Sequence, residues 1–249
     1  RMTYFSLLFA LSFVLVAVII SFKENLGLER DLLIGTVRAF VQLMVVGYVL
    51  EFIFALEKWP YIVAMLVFMV LVAARNAEKR GRGIRNVFPI LLLAIGAGEL
   101  VTMGMLLGLR IIPFQPQYVI PISGMIIGNS MVASALTLNR IKAELENRRE
   151  EIQVLLGLGA TARQASGTSL QAAVKSAMIP TIDSMKTVGL VQLPGMMTGL
   201  IIGGATPVEA VKYQILVLFM LTTAVSLTAM TVGFFAYRKF FTERHQLVL

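Results

Sequence analysis

The side chains that could do chemistry in this sequence are few, and they stand singly within long apolar stretches. Glu99 lies near the middle of one such stretch, while Arg38 and Gln42 lie four residues apart in another and so share one face of a helix. A lone ionised carboxylate in hydrocarbon costs several kcal/mol, so it must be paired, protonated, hydrated or bound to a cation. Two interpretations stay open: Glu99 is a structural group that pairs with Arg38 or bonds to Gln42, or it belongs to a cation path.

A second group of polar residues, Asn129 and Ser130, follows two glycines spaced four apart. Amide and hydroxyl groups in such a setting join helices in lipid, and they can also line a pathway, so both roles are open. Met103 lies one helical turn beyond Glu99 and could offer soft sulfur to a metal held by Glu99. In a chain with 14 methionines, packing is the more common role of a thioether.

Composition places the chain among helical membrane proteins. Of its 249 residues, 57% are hydrophobic and only 14% are charged, and the mean hydropathy is +0.82. Cysteine is absent and the single histidine, His245, lies in the tail, which excludes disulfides, thiolate zinc sites and Ser-His or Cys-His catalysis in the core. Because the sequence also lacks a clustered acid, base and nucleophile, a membrane enzyme is the least favoured class.

Apolar windows of spanning length predict an all-α polytopic protein with about seven transmembrane helices and no separate soluble domain. The first window lacks a small-residue cleavage site and is longer than a signal-peptide core, so we interpret it as a retained span. The predicted spans are residues 3–22, 32–55, 60–74, 87–109, 118–138, 188–204 and 209–237.

The net charge of +8 is explained by membrane topology rather than by nucleic acid binding, because basic residues cluster in alternate loops. The densest basic loop contains Arg75, Lys79, Arg80, Arg82 and Arg85. Basic residues of the segment 139–187 and of the tail, namely Arg238, Lys239 and Arg244, fall on the same predicted side. The positive-inside rule makes that side cytoplasmic, with the N-terminus outside and the C-terminus inside.

The segment 139–187 is the longest polar interruption of the apolar pattern, and we predict that it is cytoplasmic and meets water or a soluble partner. Its first part has the spacing of an amphipathic helix that continues span five. The turn from Gly157 to Thr161 ends that helix, and the Thr161 hydroxyl caps a new one. Pro180 and Asp183 predict a further short helix before the chain re-enters the bilayer.

The glycines of predicted span six, Gly195, Gly199 and Gly203, form two overlapping G-x-x-x-G steps. Such steps leave a flat helical face for the close approach of another backbone. Together with Pro194 they also make the span easy to bend or break, as in moving parts of transporters. Packing and gating are both open as roles of this segment.

Four strings of the sequence stand out: Arg38-Ala-Phe-Val-Gln42-Leu43, Met125 to Met131, Leu158 to Thr161 with Gln164-Ala165, and Ile182 to Gly199. They resemble those of the FetB-type (YbbM) permease family of bacterial ABC transporters, which is implicated in iron export and has relatives in plant aluminium tolerance. Glu151 followed six residues later by Gly157 also resembles the first half of the "EAA" loop of ABC-importer permeases. The likeness extends over nearly the whole chain.

The resemblance implies a homodimeric permease of the bacterial plasma membrane, driven by two copies of a separate ABC ATPase that binds the ATP and Mg. The absence of a G-x-x-x-x-G-K-[ST] phosphate loop agrees with a chain that is not an enzyme and holds no cofactor. The implied cargo is iron or another metal ion, moved outward. The open alternatives are an ABC permease for a non-metal solute and a gradient-driven transporter or channel with Glu99 as proton carrier.

On this hypothesis, ATPase closure pushes the segment 139–187 and rocks spans five and six. The expected path residues are Arg38, Gln42, Glu99, Asn129 and Ser130. The expected ATPase-coupling residues are Glu150, Glu151, Gly157, Gly159, Thr161, Asp183 and Lys186. In these roles the glycines supply turn geometry, and the acids favour helix ends or a basic ATPase surface.

Overall fold

The structure is a computed structural model that describes residues 4–56, 58–81, 84, 86–242 and 246–247, the side chains of 4–8 and 56 excepted. Arg82, Arg85, Arg244 and His245 lie outside the described residues. The described secondary structure consists of helices and two isolated bridges, with no β-strand in these ranges, which confirms the all-α polytopic class.

Residues Arg1–Lys58 form the first of two compact units, and it consists of helices α1 (Tyr4–Lys23) and α2 (Glu29–Leu56). The tight connection between them passes through left-handed backbone at Asn25 and Gly27. Ser21 closes it, because its hydroxyl donates to the Glu29 carboxylate at 2.7 Å and accepts from the Leu28 amide at 3.1 Å. Arg38 and Gln42 lie on α2, within this unit.

Residues Trp59–Leu249 form the second unit, in which α5 is the central helix and contacts α3, α4, α7 and α9. Its helices are α3 (Trp59–Arg80), α4 (Phe88–Gly108), α5 (Pro116–Asn147), α6 (Arg149–Gly157), α7 (Ala162–Thr187), α8 (Gly195–Ile202) and α9 (Pro207–Ala236), followed by a 3-10 turn, Tyr237–Phe240. Glycines allow the close contacts: a Cβ on Gly81 would lie 2.8 Å from Leu138, and one on Gly98 would lie 2.6 Å from Thr228.

Five helices of the described chain are long and apolar enough to cross a membrane: Glu29–Ala55, Trp59–Arg80, Phe88–Gly108, Pro116–Asn147 and Pro207–Phe240. They coincide with five of the predicted spans. Helix α1, with 20 residues, coincides with the predicted first span and is about 30 Å long at the usual rise per residue.

Helix α5 is longer than a span, because its 32 residues give a length of about 48 Å. Its last turns hold Glu144, which pairs with Arg140 at 2.7 Å and with Arg148 at 3.4 Å. The predicted extension of span five is therefore confirmed as far as Asn147. The helix does not continue to Gly157 as predicted, because the chain breaks at Arg148 and α6 begins at Arg149. We call this side of the unit the basic end, because α3 and the 3-10 turn also finish there with Lys79, Arg80, Arg238 and Lys239.

The turn predicted at Gly157 to Thr161 is confirmed in detail. Helix α6 ends at Gly157, and Gly159 has φ +91°, a left-handed conformation that a side chain would strain. Thr161 then caps α7 in a reciprocal capping box with Gln164. Short-range hydrogen bonding determines this feature, which is why the sequence predicts it correctly.

The predicted span 188–204 differs from the structure. Its only described helix is α8, whose eight residues extend about 12 Å, less than half of a ~30 Å hydrocarbon core. Residues 188–194 form a connection with an isolated bridge between Val188 and Gln192 and with left-handed Gly189. The apolar side chains of this stretch made it resemble a span, but its turn residues prevent one continuous helix.

The helix boundaries predicted within the segment 139–187 also differ, whereas its cytoplasmic placement stays a prediction. Pro180 lies inside α7, a helix of 26 residues, rather than at the start of a short one. Helix α7 lies along the spanning helix α9: the Met178 sulfur lies 3.8 Å from the Ser226 hydroxyl, and the Met185 sulfur lies 3.0 Å from the Thr222 hydroxyl. The second half of α7, interrupted before α8, therefore packs beside the middle of the spanning helix α9. Burial of Ala173 and Ala177, near the middle of α7, brings it there.

We expect Gly98→Ala to destabilise the second unit. The new Cβ would lie 2.6 Å from the Thr228 hydroxyl and 3.3 Å from the Ala224 carbonyl oxygen, a backbone atom that cannot rotate away. Overpacking of this kind costs about 1–3 kcal/mol. Gly96→Ala on the same helix is the matched control, since its Cβ would meet nothing within 4 Å. Thermal unfolding of both variants in detergent, followed by circular dichroism, measures the difference; equal midpoints would contradict the packing described.

A candidate translocation site at mid-depth

A polar cavity of about 490 Å³ opens between α5, α7, α9 and the connection that follows α7. Its polar groups are a carboxylate, two amides and three hydroxyls. The lining residues are Asn129, Pro180, Thr181, Asp183, Ser184, Thr187, Gln192, Leu218 and Leu221. A cavity with this lining can hold water or a hydrated ion.

The cavity lies about halfway along the spanning helices. Leu221 follows the start of α9, Pro207, and Asn129 follows the start of α5, Pro116; each separation corresponds to roughly 20 Å at 1.5 Å per residue. Asp183 and Asn129 are both exposed on the single chain. A carboxylate at this depth cannot face lipid without a cost of several kcal/mol, so this surface faces water or other protein.

The hydrogen bonds inside the cavity do not engage the Asn129 amide oxygen or the Asp183 carboxylate, which are the kinds of atom that bind metal ions. The Asn129 amide nitrogen donates to the Met125 carbonyl at 2.8 Å, which engages an N–H and not the amide oxygen. The Thr187 hydroxyl donates to the backbone carbonyl of Asp183 at 2.8 Å, not to its carboxylate. Gln192 donates to the Ser184 hydroxyl at 3.3 Å and so ties the connection to α7.

A buried polar cluster lies inside the bundle, formed by Glu99, Ser123, Ser130 and Thr228. Glu99 is 4% exposed, and one carboxyl oxygen accepts a short hydrogen bond from Ser123. Its other carboxyl oxygen and the Ser130 hydroxyl are buried without a partner among the described residues. Thr228 donates to the Ala94 carbonyl at 3.3 Å. These contacts join α4 to α5 and α9, as expected for polar residues that hold helices together.

The predicted path residues are therefore not all in one place. Asn129 and Ser130 are neighbours on α5, yet Asn129 lines the cavity and Ser130 lies in the buried polar cluster. Arg38 and Gln42 belong to the first unit, so their pairing with Glu99 stays a prediction. Met103 is buried at 5% exposure, and no group of three or more His, Cys, Asp or Glu residues suited to a metal occurs in the described ranges.

The predicted coupling residues Glu150, Glu151, Gly157, Gly159 and Thr161 lie together at the basic end, in α6 and the turn after it. Helix α6 is anchored by Ile152, which is 1% exposed, while Val154 and Leu158 are 62% and 80% exposed. Glu151 lies 3.8 Å from Arg148. Helix α6 and the turn after it thus present acidic and apolar side chains, and the buried Ile152 fixes the helix in place. The sequence did not reveal the exposure of Leu158, because Leu158 has the same helical spacing as the leucines of the buried face.

Asp183 and Lys186 lie apart from this group, on the second half of α7, and Asp183 shares the cavity with Asn129. The sequence contained a signal for this arrangement. Asp183, Ser184 and Thr187 recur at helical spacing after Pro180, so their polar side chains share one face of a helix. That signal was missed because Pro180 was interpreted as a helix start.

The residues predicted for packing or gating lie at α8. Pro194 is the residue before the helix, and Gly203 is the residue that ends it. A Cβ on Gly195 or Gly199 would meet no described atom within 4 Å, so the flat face is not filled within the described chain. Their role in packing or gating stays a prediction.

Fold and site together define a multi-pass helical membrane protein with a polar cavity at mid-depth. The chain belongs to the uncharacterised protein family UPF0014, whose model matches residues 4–241. It is similar to the UPF0014 membrane protein YjkA of Bacillus subtilis, at 46% identity over 99% of this chain and 98% of the relative. No solved structure matches it.

Two further relatives have names that describe a role. The chain is 46% identical to the probable iron export permease protein FetB of Escherichia coli, over 98% of this chain and 94% of the relative. It is 40% identical to the protein ALUMINUM SENSITIVE 3 of Arabidopsis thaliana, over 96% of this chain and 87% of the relative. These similarities confirm the resemblance seen in the sequence strings.

We expect cysteine accessibility to distinguish the cavity from its surroundings, since the chain has no cysteine of its own. Ser184→Cys should react with a charged, membrane-impermeant thiol reagent, because Ser184 lines the cavity. Ser130→Cys, at 0% exposure, and Phe219→Cys, at 61% exposure on an apolar surface, should both stay unlabelled. Labelling of intact chain in vesicles, read by mass shift, measures this. A Ser184→Cys variant as unreactive as Phe219→Cys would show that no water reaches the cavity.

Proposed function

We propose that this chain is the permease subunit of an ABC exporter that moves iron or another metal ion, with ATP and Mg bound by a separate ATPase. The observation that carries the proposal is the exposed polar surface at mid-depth, where Asp183 and Asn129 line one cavity. Ionisable residues at membrane depth face cavities that conduct ions or substrates. The name of the Escherichia coli relative, probable iron export permease, supports the same cargo.

The donor atoms of the cavity support a hard cation as cargo. Carboxylate, amide and hydroxyl oxygens bind hard ions, whereas softer metals prefer sulfur and imidazole. One chain offers a single carboxylate here, Asp183, and leaves it exposed. A homodimer that brings two such surfaces together encloses the cavity and doubles the number of carboxylates, which a two-fold axis allows.

The connection between α6 and α7 supports coupling to an ATPase. Helix α6 has an exposed acidic and apolar surface for docking, and its base is fixed by Ile152. A capped turn joins it directly to α7, which extends from Ala162 through Asp183, about 30 Å away along a continuous helix. A displacement of α6 by the ATPase is therefore transmitted to the cavity by helix α7, and the non-helical connection between α7 and α8 serves as the hinge.

The orientation follows from the same proposal. The basic end faces the cytoplasm of the bacterium, the inner membrane holds the chain, and the N-terminus lies on the opposite side. The non-metal alternative for the cargo remains compatible with a polar cavity of this kind.

A gradient-driven transporter is the second candidate, and Glu99 is the observation in its favour. One of its carboxyl oxygens is buried without a partner among the described residues, as in proton-carrying sites at membrane depth. In that case alanine substitution across 150–165 leaves transport intact, because no ATPase needs this region.

We expect Asp183→Asn to reduce metal efflux by roughly tenfold or more, because ligand charge controls the affinity of hard-ion sites. The measurement is uptake of iron into inverted vesicles that contain the chain with its co-purified ATPase. Asp31→Asn, at the other aspartate of the chain, is the matched control and should transport normally. Unchanged efflux with Asp183→Asn would remove the cavity from the path.

We also expect Leu158→Ser to weaken ATPase binding, since Leu158 is an apolar side chain at 80% exposure on the proposed docking surface. Loss of an exposed apolar anchor at an interface costs on the order of 1–2 kcal/mol. Leu109→Ser, a comparably exposed leucine at 67% beyond the far end of α4, is the control. Affinity purification followed by quantification of the associated ATPase measures the effect. Transport by the chain alone in liposomes would contradict the assignment.

A further inference from the structure

A groove of about 600 Å³, distinct from the polar cavity, lies between α7 and α9 near the basic end. Its floor is apolar and includes Leu170, Val174 and Phe234, and its polar groups are Arg163, Gln171 and Lys175. The path proposed above does not use this groove. The sequence analysis did not single out its residues: Arg163 and Lys175 are among the basic residues of the segment 139–187 that were used there only to predict topology.

The two cations lie at different depths along the groove. Arg163 is near the start of α7, and its guanidinium carbon lies 4.8 Å from the centre of the Phe234 ring. Lys175 follows on the same helix by about 18 Å. Its neighbour Val174 meets the last turns of α9, since a Cβ on Gly233 would lie 3.0 Å from Val174. Lys175 thus lies level with the last turns of the spanning helix α9, and Arg163 lies closer to the basic end.

Both cations are exposed, and neither forms an ion pair within the part of the chain that the structure describes. A lysine level with the last turns of a spanning helix gains from an anion at headgroup level. The stacking of Arg163 on Phe234 holds the guanidinium at the mouth of the groove and leaves its N–H groups able to donate to a phosphate. The apolar floor continues from this point toward the bilayer interior and fits an acyl chain.

We propose that this groove binds an anionic phospholipid from the leaflet at the basic end. The phosphate lies at the mouth of the groove, where the Arg163 guanidinium donates to it and the Lys175 side chain extends toward it from deeper in the groove. One acyl chain lies on the floor made by Leu170, Val174 and Phe234. A zwitterionic phospholipid offers the same chain but no net negative charge, so binding selects for anionic headgroups. Because α7 also carries Asp183, the lipid contacts the helix that lines the polar cavity.

The first test removes the charges. The double variant Arg163→Gln, Lys175→Gln should retain phosphatidylglycerol about 25-fold less than the unmodified chain, since each basic residue near a membrane surface contributes about a factor of five. The control is Lys79→Gln, Arg80→Gln, which removes one lysine and one arginine from the same end, on α3. Native mass spectrometry of the full chain, taken from vesicles of equal phosphatidylglycerol and phosphatidylcholine, counts the bound lipid.

The second test fills the groove and keeps both charges. Gly167 lines it, and a Cβ there would meet nothing within 4 Å, so Gly167→Leu occupies the space without a clash at Cβ and suits a helix. Thr168→Leu, at the next and exposed position of α7, is the control. We expect Gly167→Leu to lose the retained phosphatidylglycerol and Thr168→Leu to keep it.

The results that overturn the proposal are distinct. Equal loss of lipid in the charge variant and its α3 control would show a diffuse surface effect. If millimolar glycerol 3-phosphate displaced the lipid, and Gly167→Leu retained as much phosphatidylglycerol as the unmodified chain, the groove would be a site for free phosphate esters. A change of oligomeric state in Gly167→Leu, with lipid retention unchanged, would show that a second protein surface covers the groove.

Discussion

The structure depends on the cost of placing an uncompensated polar group inside hydrocarbon. In the second unit this constraint is met in two ways at nearly the same depth. Glu99 is enclosed and bonded to Ser123, whereas Asp183 remains exposed beside Asn129 in a cavity. The first arrangement holds helices together, and the second requires water or protein in front of it. Helix α5 separates the two, because Asn129 and Ser130 are about 100° apart around its axis, and Asn129 is exposed whereas Ser130 is buried.

Small residues make this arrangement possible. Ala173 and Ala177 of α7 are fully buried, and Gly233 of α9 lets Val174 approach closely. Since lipid gives no hydrophobic force between helices, close backbone contact supplies the attraction that keeps a helix as polar as α7 at membrane depth. The polar face of α7 is then left on the side of the cavity. One helix thereby connects the capped turn at Thr161 with Asp183, which is the mechanical basis of the proposed coupling.

Near the basic end, helix α7 borders a second feature, the apolar groove between α7 and α9 that Arg163 and Lys175 line. The proposed lipid site and the proposed path thus use different faces and different depths of the same element. A lipid bound in the groove would act on the orientation of the residues that line the proposed path, because both lie on helix α7. Such a site would link membrane composition to the proposed permease function in physical terms, without contact between lipid and cargo.

Residue order alone was enough for the membrane class, five of the long spans, the extension of α5 and the cap at Thr161, because apolar length and short-range hydrogen bonds decide them. It was also enough to single out Glu99 and Asn129 as polar groups at depth. It failed at α7 and α8: Pro180 looked like a helix start and 188–204 looked like a span, since composition measures apolarity and does not measure packing. Whether Asp183 meets cytoplasm or cavity depends on Ala173, Ala177 and Gly233 bringing α7 against α9 across more than fifty residues of sequence. Contacts of that separation exist only once the helices have assembled, so the grouping of Asp183 with Asn129 was decided by the tertiary structure.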